Sequence, residues 1–105
     1  MRFSDRTFGL LLILIITFNY IDAFSTLYWV SEGYAVEINP IMDFCMQISS
    51  EMFLFVKTLI VLVASFFLWY VRKNKLAHIL ILLAFLLYSY IFIIHCAAAL
   101  KIFFN

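Results

Sequence analysis

The chain has 105 residues, of which 68% are hydrophobic, 20% aromatic and only 12% charged, with a formal net charge of +1. A soluble domain is about half apolar and a quarter charged, and one core at this chain length cannot hide so much apolar surface, so the composition excludes a water-soluble globule and makes the lipid bilayer the missing partner. No basic or acidic block is present, which points away from nucleic acid and polyanionic partners.

In chain order, the basic start MRFSDR leads into an apolar stretch at 8–30, longer than the roughly 20 residues that cross a bilayer core. The same start could open a secretory signal, but Ile21 and Asp22 are a poor cleavage context before Ala23 and apolar residues resume at once. An uncleaved span is expected.

The second half of that span reads FNYIDAFSTLYWV. At 100° per residue, Asn19, Asp22 and Thr26 fall within about 60° of one another and form one polar stripe. A charged side chain at mid-bilayer costs about 2.5–3.5 kcal/mol when it faces lipid, so the stripe should face other helices or water. Helical rise places Asp22 about 5 Å past the midplane, toward the first loop.

That loop, 31–51, is the longest polar stretch. Gly33 suits the left-handed position that ends a helix, and Asn39-Pro40 reads as a restart, asparagine as N-cap and proline at the first helical position. Residues 40–48 are then a short helix, interfacial or re-entrant, too brief to span. The loop carries Glu32, Glu37, Asp43 and Glu51 and no lysine or arginine.

A second span is expected at 52–71, where Lys57 lies about 6 Å from the centre on the side of the same loop. Two opposite charges, each expensive alone, are therefore expected at one depth on adjacent antiparallel helices. The tight turn RKNK leads to a third span at 76–103. There Ala84, Tyr88, Ile91, His95 and Ala98 recur at helical spacing, so Tyr88 and His95 share a face with small alanines suited to close packing; Lys57 and Ala64 offer the matching pattern on the second span. His95 lies about 10 Å from the centre toward the loop side, and His78, beside the RKNK turn, reads as interfacial. Tyr28, Trp29 and Tyr34 at one end, with Trp69 and Tyr70 at the other, fit interfacial aromatic belts.

Orientation follows from the positive charges in the short loops. Arg2, Arg6, Arg72, Lys73 and Lys75 place the N-terminus and the RKNK turn in the cytoplasm, and the acidic loop and C-terminus outside, with Lys101 free to snorkel. Cys45 and Cys96 make no zinc pattern and read as small hydrophobes; their disulfide would need both on an oxidising side.

The polar residues carry alternative readings. Asp22 and Lys57 form either a structural ion pair that fixes helix register, with His95 and Tyr88 bonded to it, or a site that binds or relays a proton, an ion or a small polar ligand. A metal site of Asp22, Glu37 and His95 is a third option, opposed by the nearby ammonium. No GxSxG elbow, HExxH, P-loop or paired-histidine motif occurs, so neither a catalytic residue nor a cofactor or metal is assigned.

The arrangement N19-x-x-D22-x-x-x-T26, then G33-x-x-x-E37-x-N39-P40-x-M42, then Lys57, resembles the domain of unknown function 5658 family of small prokaryotic multi-spanning membrane proteins. The resemblance covers roughly residues 8–75, and the third span matches only as a hydrophobic helix. It implies a polytopic protein of three or four helices and carries no activity.

The expectation is thus an all-α integral membrane protein, one membrane domain over 1–105, multi-pass in the cell (inner) membrane. The expected role is a non-enzymatic assembly or accessory subunit, a homo-oligomer or a partner of other membrane proteins. Asp22 and Lys57 would pair at its centre while Glu37 and Asn39 hold the Pro40 turn. A proton- or ion-binding carrier or channel-like protein is the alternative, and a membrane-embedded enzyme using His95 with Glu37 is the second.

Overall fold

The structure is a computed structural model and describes residues 2–104. It is all-α, with α1 at Asp5–Ser31, α2 at Pro40–Ile48, α3 at Ser50–Tyr70 and α4 at Lys75–Phe103. Three of the four helices are long and apolar enough to cross a membrane, and α2 is not. The chain is a multi-pass membrane protein.

Each helix begins where a polar side chain can take up its free backbone N–H groups. Ser4 Oγ accepts from Thr7 N, Asn39 Oδ1 from Ile41 N and Met42 N, Ser49 Oγ from Met52 N, and Asn74 Oδ1 from Leu76 N. These caps lie in the polar flanks, so α1, α3 and α4 start one to three residues before the apolar stretches expected at 8–30, 52–71 and 76–103. Hydropathy marks the part of a helix that meets lipid; the cap marks its first turn.

The end of α1 is set by backbone geometry. Gly33 has φ +81°, Tyr34 N–H donates to the Trp29 carbonyl at 2.8 Å and Gly33 N–H to the Val30 carbonyl at 3.1 Å, which is the paired closure of a Schellman motif. A Cβ at Gly33 would meet nothing within 4 Å, so only the left-handed backbone penalises substitution. Gly33→Ala is expected to lower stability by about 1–2 kcal/mol, read as a reduced thermal midpoint in bilayer nanodiscs.

Helix α1 is the central element: it packs against both α3 and α4, and α2 packs against α3. Its buried face runs Phe8, Leu12, Ile15, Asn19, Ala23 and Trp29, the three- and four-residue steps of a helix buried along one stripe. Toward the RKNK turn, Phe8, Leu12 and Ile15 meet Val61 of α3 and Ala77 and Ile81 of α4 in an apolar core. Toward the first loop, Ala23 meets Met42 and Phe53, which joins α2 to the bundle. The polar stripe continues the apolar one, so the same face of α1 that makes the core also carries Asn19, Asp22 and Thr26.

Ala64 and His78 differ in burial from the sequence expectation. Ala64 is exposed, and α3 instead turns Phe53, Val61 and Ser65 inward; periodicity alone does not say which of two small-residue faces meets a neighbour. His78 adjoins the RKNK turn as expected but is buried at 3% exposure beneath the N-terminal segment. Phe3 N–H donates to His78 Nδ1 at 2.9 Å, so the ring proton is on Nε2 and donates to the Arg72 carbonyl at 2.6 Å. Phe3 stacks on the ring and Phe8 meets its edge. The imidazole beside the turn is thus buried with both nitrogens bonded. Both cysteines are free, Cys45 buried and Cys96 exposed.

Candidate functional site

The polar stripe of α1 meets polar groups from both flanking helices. Lys57 Nζ of α3 lies 2.6 Å from Asp22 Oδ2, the contact expected from matched depth. His95 Nε2 of α4 lies 2.7 Å from Asp22 Oδ1, and the Thr26 hydroxyl, one turn along α1, is 3.5 Å from the same oxygen. One carboxylate thus bridges α3 and α4, each carboxylate oxygen serving a different helix. The Asp22 and His95 side chains are each 13% exposed and Lys57 is 21% exposed.

A fifth residue completes the chain of contacts and was not singled out by sequence reasoning. Trp29, read there as part of an interfacial belt, is buried, and its indole Nε1–H donates to His95 Nδ1 at 2.9 Å. Indole N–H can only donate, so Nδ1 is unprotonated and the proton of a neutral ring is on Nε2, directed at Asp22. The signal was available: Trp29 is seven residues beyond Asp22, within about 20° of it around the helix.

One turn of α1 deeper, Tyr88 of α4 donates its hydroxyl to Asn19 Oδ1 at 3.2 Å. Asn19 is 1% exposed and its Nδ2 has no partner. Lys57 also lies over the Phe53 ring, 5.9 Å from its centroid. The structure therefore brings Asp22, Thr26, Lys57 and His95 into one network across three membrane helices, with the Asn19–Tyr88 pair beside it, sharing a cavity with Lys57.

Glu37 and Asn39 occupy its outer edge. Glu37 Oε1 accepts from Asn39 N at 3.1 Å, and Asn39 caps α2 ahead of Pro40, so the two hold the turn. They make no hydrogen bond to Asp22 or Lys57. Both nonetheless face the cluster across cavities: Glu37 lines an outer cavity of about 310 Å³ with Asp22, Thr26, Trp29, Lys57 and His95, and Asn39 lines a smaller one with Asn19, Lys57 and Tyr88. Glu37 and His95, the acid-base pair considered from sequence, share the outer cavity without a direct bond. Among the described residues, no group of three His, Cys, Asp or Glu side chains is placed to hold a metal ion.

The family model described as Domain of unknown function (DUF5658) matches residues 13–101. The chain belongs to the DUF5658 family. The match runs past the expected limit near residue 75 and takes in most of α4, so Tyr88 and His95 lie inside it along with Asn19, Asp22 and Lys57. No curated protein and no solved structure matches the chain.

Proposed function

We propose that this DUF5658 protein is a non-enzymatic assembly or accessory subunit, a single membrane domain whose Asp22-centred cluster is a clamp that fixes three helices in register. The observation that carries this reading is the engagement of both Asp22 oxygens, Oδ2 by Lys57 and Oδ1 by His95, with the Thr26 hydroxyl beside Oδ1. A carboxylate whose oxygens are already bonded to α3, α4 and its own helix suits a structural joint, and buried ionic groups serve best as such register devices. The lipid-facing sides of α3 and α4 supply the assembly surface, for a second copy or for other membrane subunits, with no nucleic-acid partner. The protein lies in the cell (inner) membrane with its N-terminus and RKNK turn in the cytoplasm and its acidic loop and C-terminus outside, as the loop charges favour. The Phe3–His78 bond, which ties the N-terminal segment to that turn, supports a common side for both.

The test is extraction in mild detergent followed by native mass spectrometry and cross-linking. A homo-oligomer or a stoichiometric membrane partner is expected. A stable monomer that copurifies with nothing would sink the reading.

The 310 Å³ outer cavity favours a second reading, a proton- or ion-binding carrier in which Asp22 or Glu37 takes the ion.

A further inference from the structure

We propose that the smaller cavity, which shares Lys57 with the outer one, binds a small monovalent anion. The cavity measures about 140 Å³ and is lined by Asn19, Asn39, Lys57 and Tyr88, with Ile60 and Val61 in its apolar wall.

Its hydrogen-bonding inventory is one-sided. Asn19 Nδ2 is buried without a partner, and a buried donor left unpaired is unfavourable enough that native proteins rarely keep one without a ligand or water. Lys57 carries three N–H donors, of which Asp22 takes one. The amide oxygens on the wall are already engaged: Asn19 Oδ1 accepts from Tyr88, and Asn39 Oδ1 accepts from Ile41 N and Met42 N, which leaves the Asn39 amide N–H groups as further donors and the Tyr88 hydroxyl oxygen as the one side-chain oxygen there with no donor of its own. A site that offers donors and an ammonium while its amide oxygens are occupied selects an acceptor-only guest and rejects cations.

Asp22 lines the outer cavity and not this one, while Lys57 lines both. The contact with Asp22 at 2.6 Å neutralises most of the ammonium charge, so it is the free N–H donors, more than net charge, that favour an anionic guest. The volume fits a halide or a small oxyanion or carboxylate. This inference goes beyond the clamp reading: the clamp requires only Asp22 and its partners, whereas the anion requires Asn19, Lys57 and an open cavity.

The test uses bromide as the probe. Crystals of the full chain grown from a lipidic phase in sodium bromide are expected to show an anomalous peak within hydrogen-bonding distance of Asn19 Nδ2 and Lys57 Nζ. In bilayer nanodiscs, bromide is expected to raise the unfolding midpoint saturably by about 5 °C over gluconate at equal ionic strength. Asn19→Leu and Ile60→Trp should both abolish that rise. Ile60→Trp fills the cavity from its lipid-facing wall and leaves every polar group in place, so it decides the matter even if Asn19→Leu fails to fold. The proposal is overturned by a wild-type crystal with no bromide at this position, by rubidium binding there instead, or by a midpoint rise that persists in Ile60→Trp.

Discussion

Replacing either Asp22 or Lys57 alone is expected to destabilise the bundle by about 3–5 kcal/mol, and replacing both is expected to recover most of that loss. Lys57→Met leaves a carboxylate in the bundle with only neutral donors. Asp22→Asn leaves an ammonium whose counter-ion is gone. In the double variant no net charge remains to be paired, and the asparagine amide oxygen still accepts from the Nε2–H of His95, so the joint to α4 survives while the joint to α3 becomes an apolar contact. Unfolding of all four proteins in nanodiscs gives the coupling energy directly. A double variant as unstable as the sum of the singles would show that the two charges do not act as a pair. The same proteins separate the two functional readings: a clamp loses folding in the single variants, whereas a carrier keeps its fold and loses ion or proton flux in proteoliposomes with Asp22→Asn.

The second expected effect concerns Trp29. Trp29→Phe keeps an aromatic ring in the site but removes the N–H that donates to His95 Nδ1 at 2.9 Å together with part of the buried indole volume; the unpaired acceptor alone costs about 1–2 kcal/mol. The Asp22 carboxylate accepts only and so holds the proton on Nε2 in both proteins, while the indole N–H bonds Nδ1; ¹⁵N spectra should therefore show the Nε2–H form of His95 in both, with the Nδ1 resonance displaced in Trp29→Phe. An unchanged Nδ1 shift in the variant would mean that the indole makes no bond to the ring.

The three spans, the short Pro40 helix and the Asp22–Lys57 pair were legible because each rests on a strong local constraint. A membrane helix needs a certain apolar length, proline after asparagine marks a helix start, and a charge at a given depth requires a partner at that depth. Arrangement around the bundle axis has no such constraint. Nothing in the sequence says that α1 is the central helix flanked by α3 and α4, and that position is what turns Trp29 inward to His95 rather than outward to the interface, and what leaves Ala64 on the surface of α3. The burial of His78 was not legible for a related reason: its partners are a backbone N–H at Phe3 and a backbone carbonyl at Arg72, groups every residue has and no motif announces. The unpartnered Nδ2 of Asn19 is likewise invisible until its neighbours have coordinates.

The central claim is that Asp22 and Lys57 meet directly inside the membrane, and rotational-echo double-resonance NMR on the full chain in lipid bilayers measures it most directly, with ¹³C at the Asp22 carboxyl and ¹⁵N at Lys57 Nζ. Direct contact, with nitrogen and oxygen at the 2.6 Å of the structure, is expected to give strong dephasing that persists in dried and hydrated samples alike. Weak dephasing that corresponds to a water-separated pair would contradict the clamp.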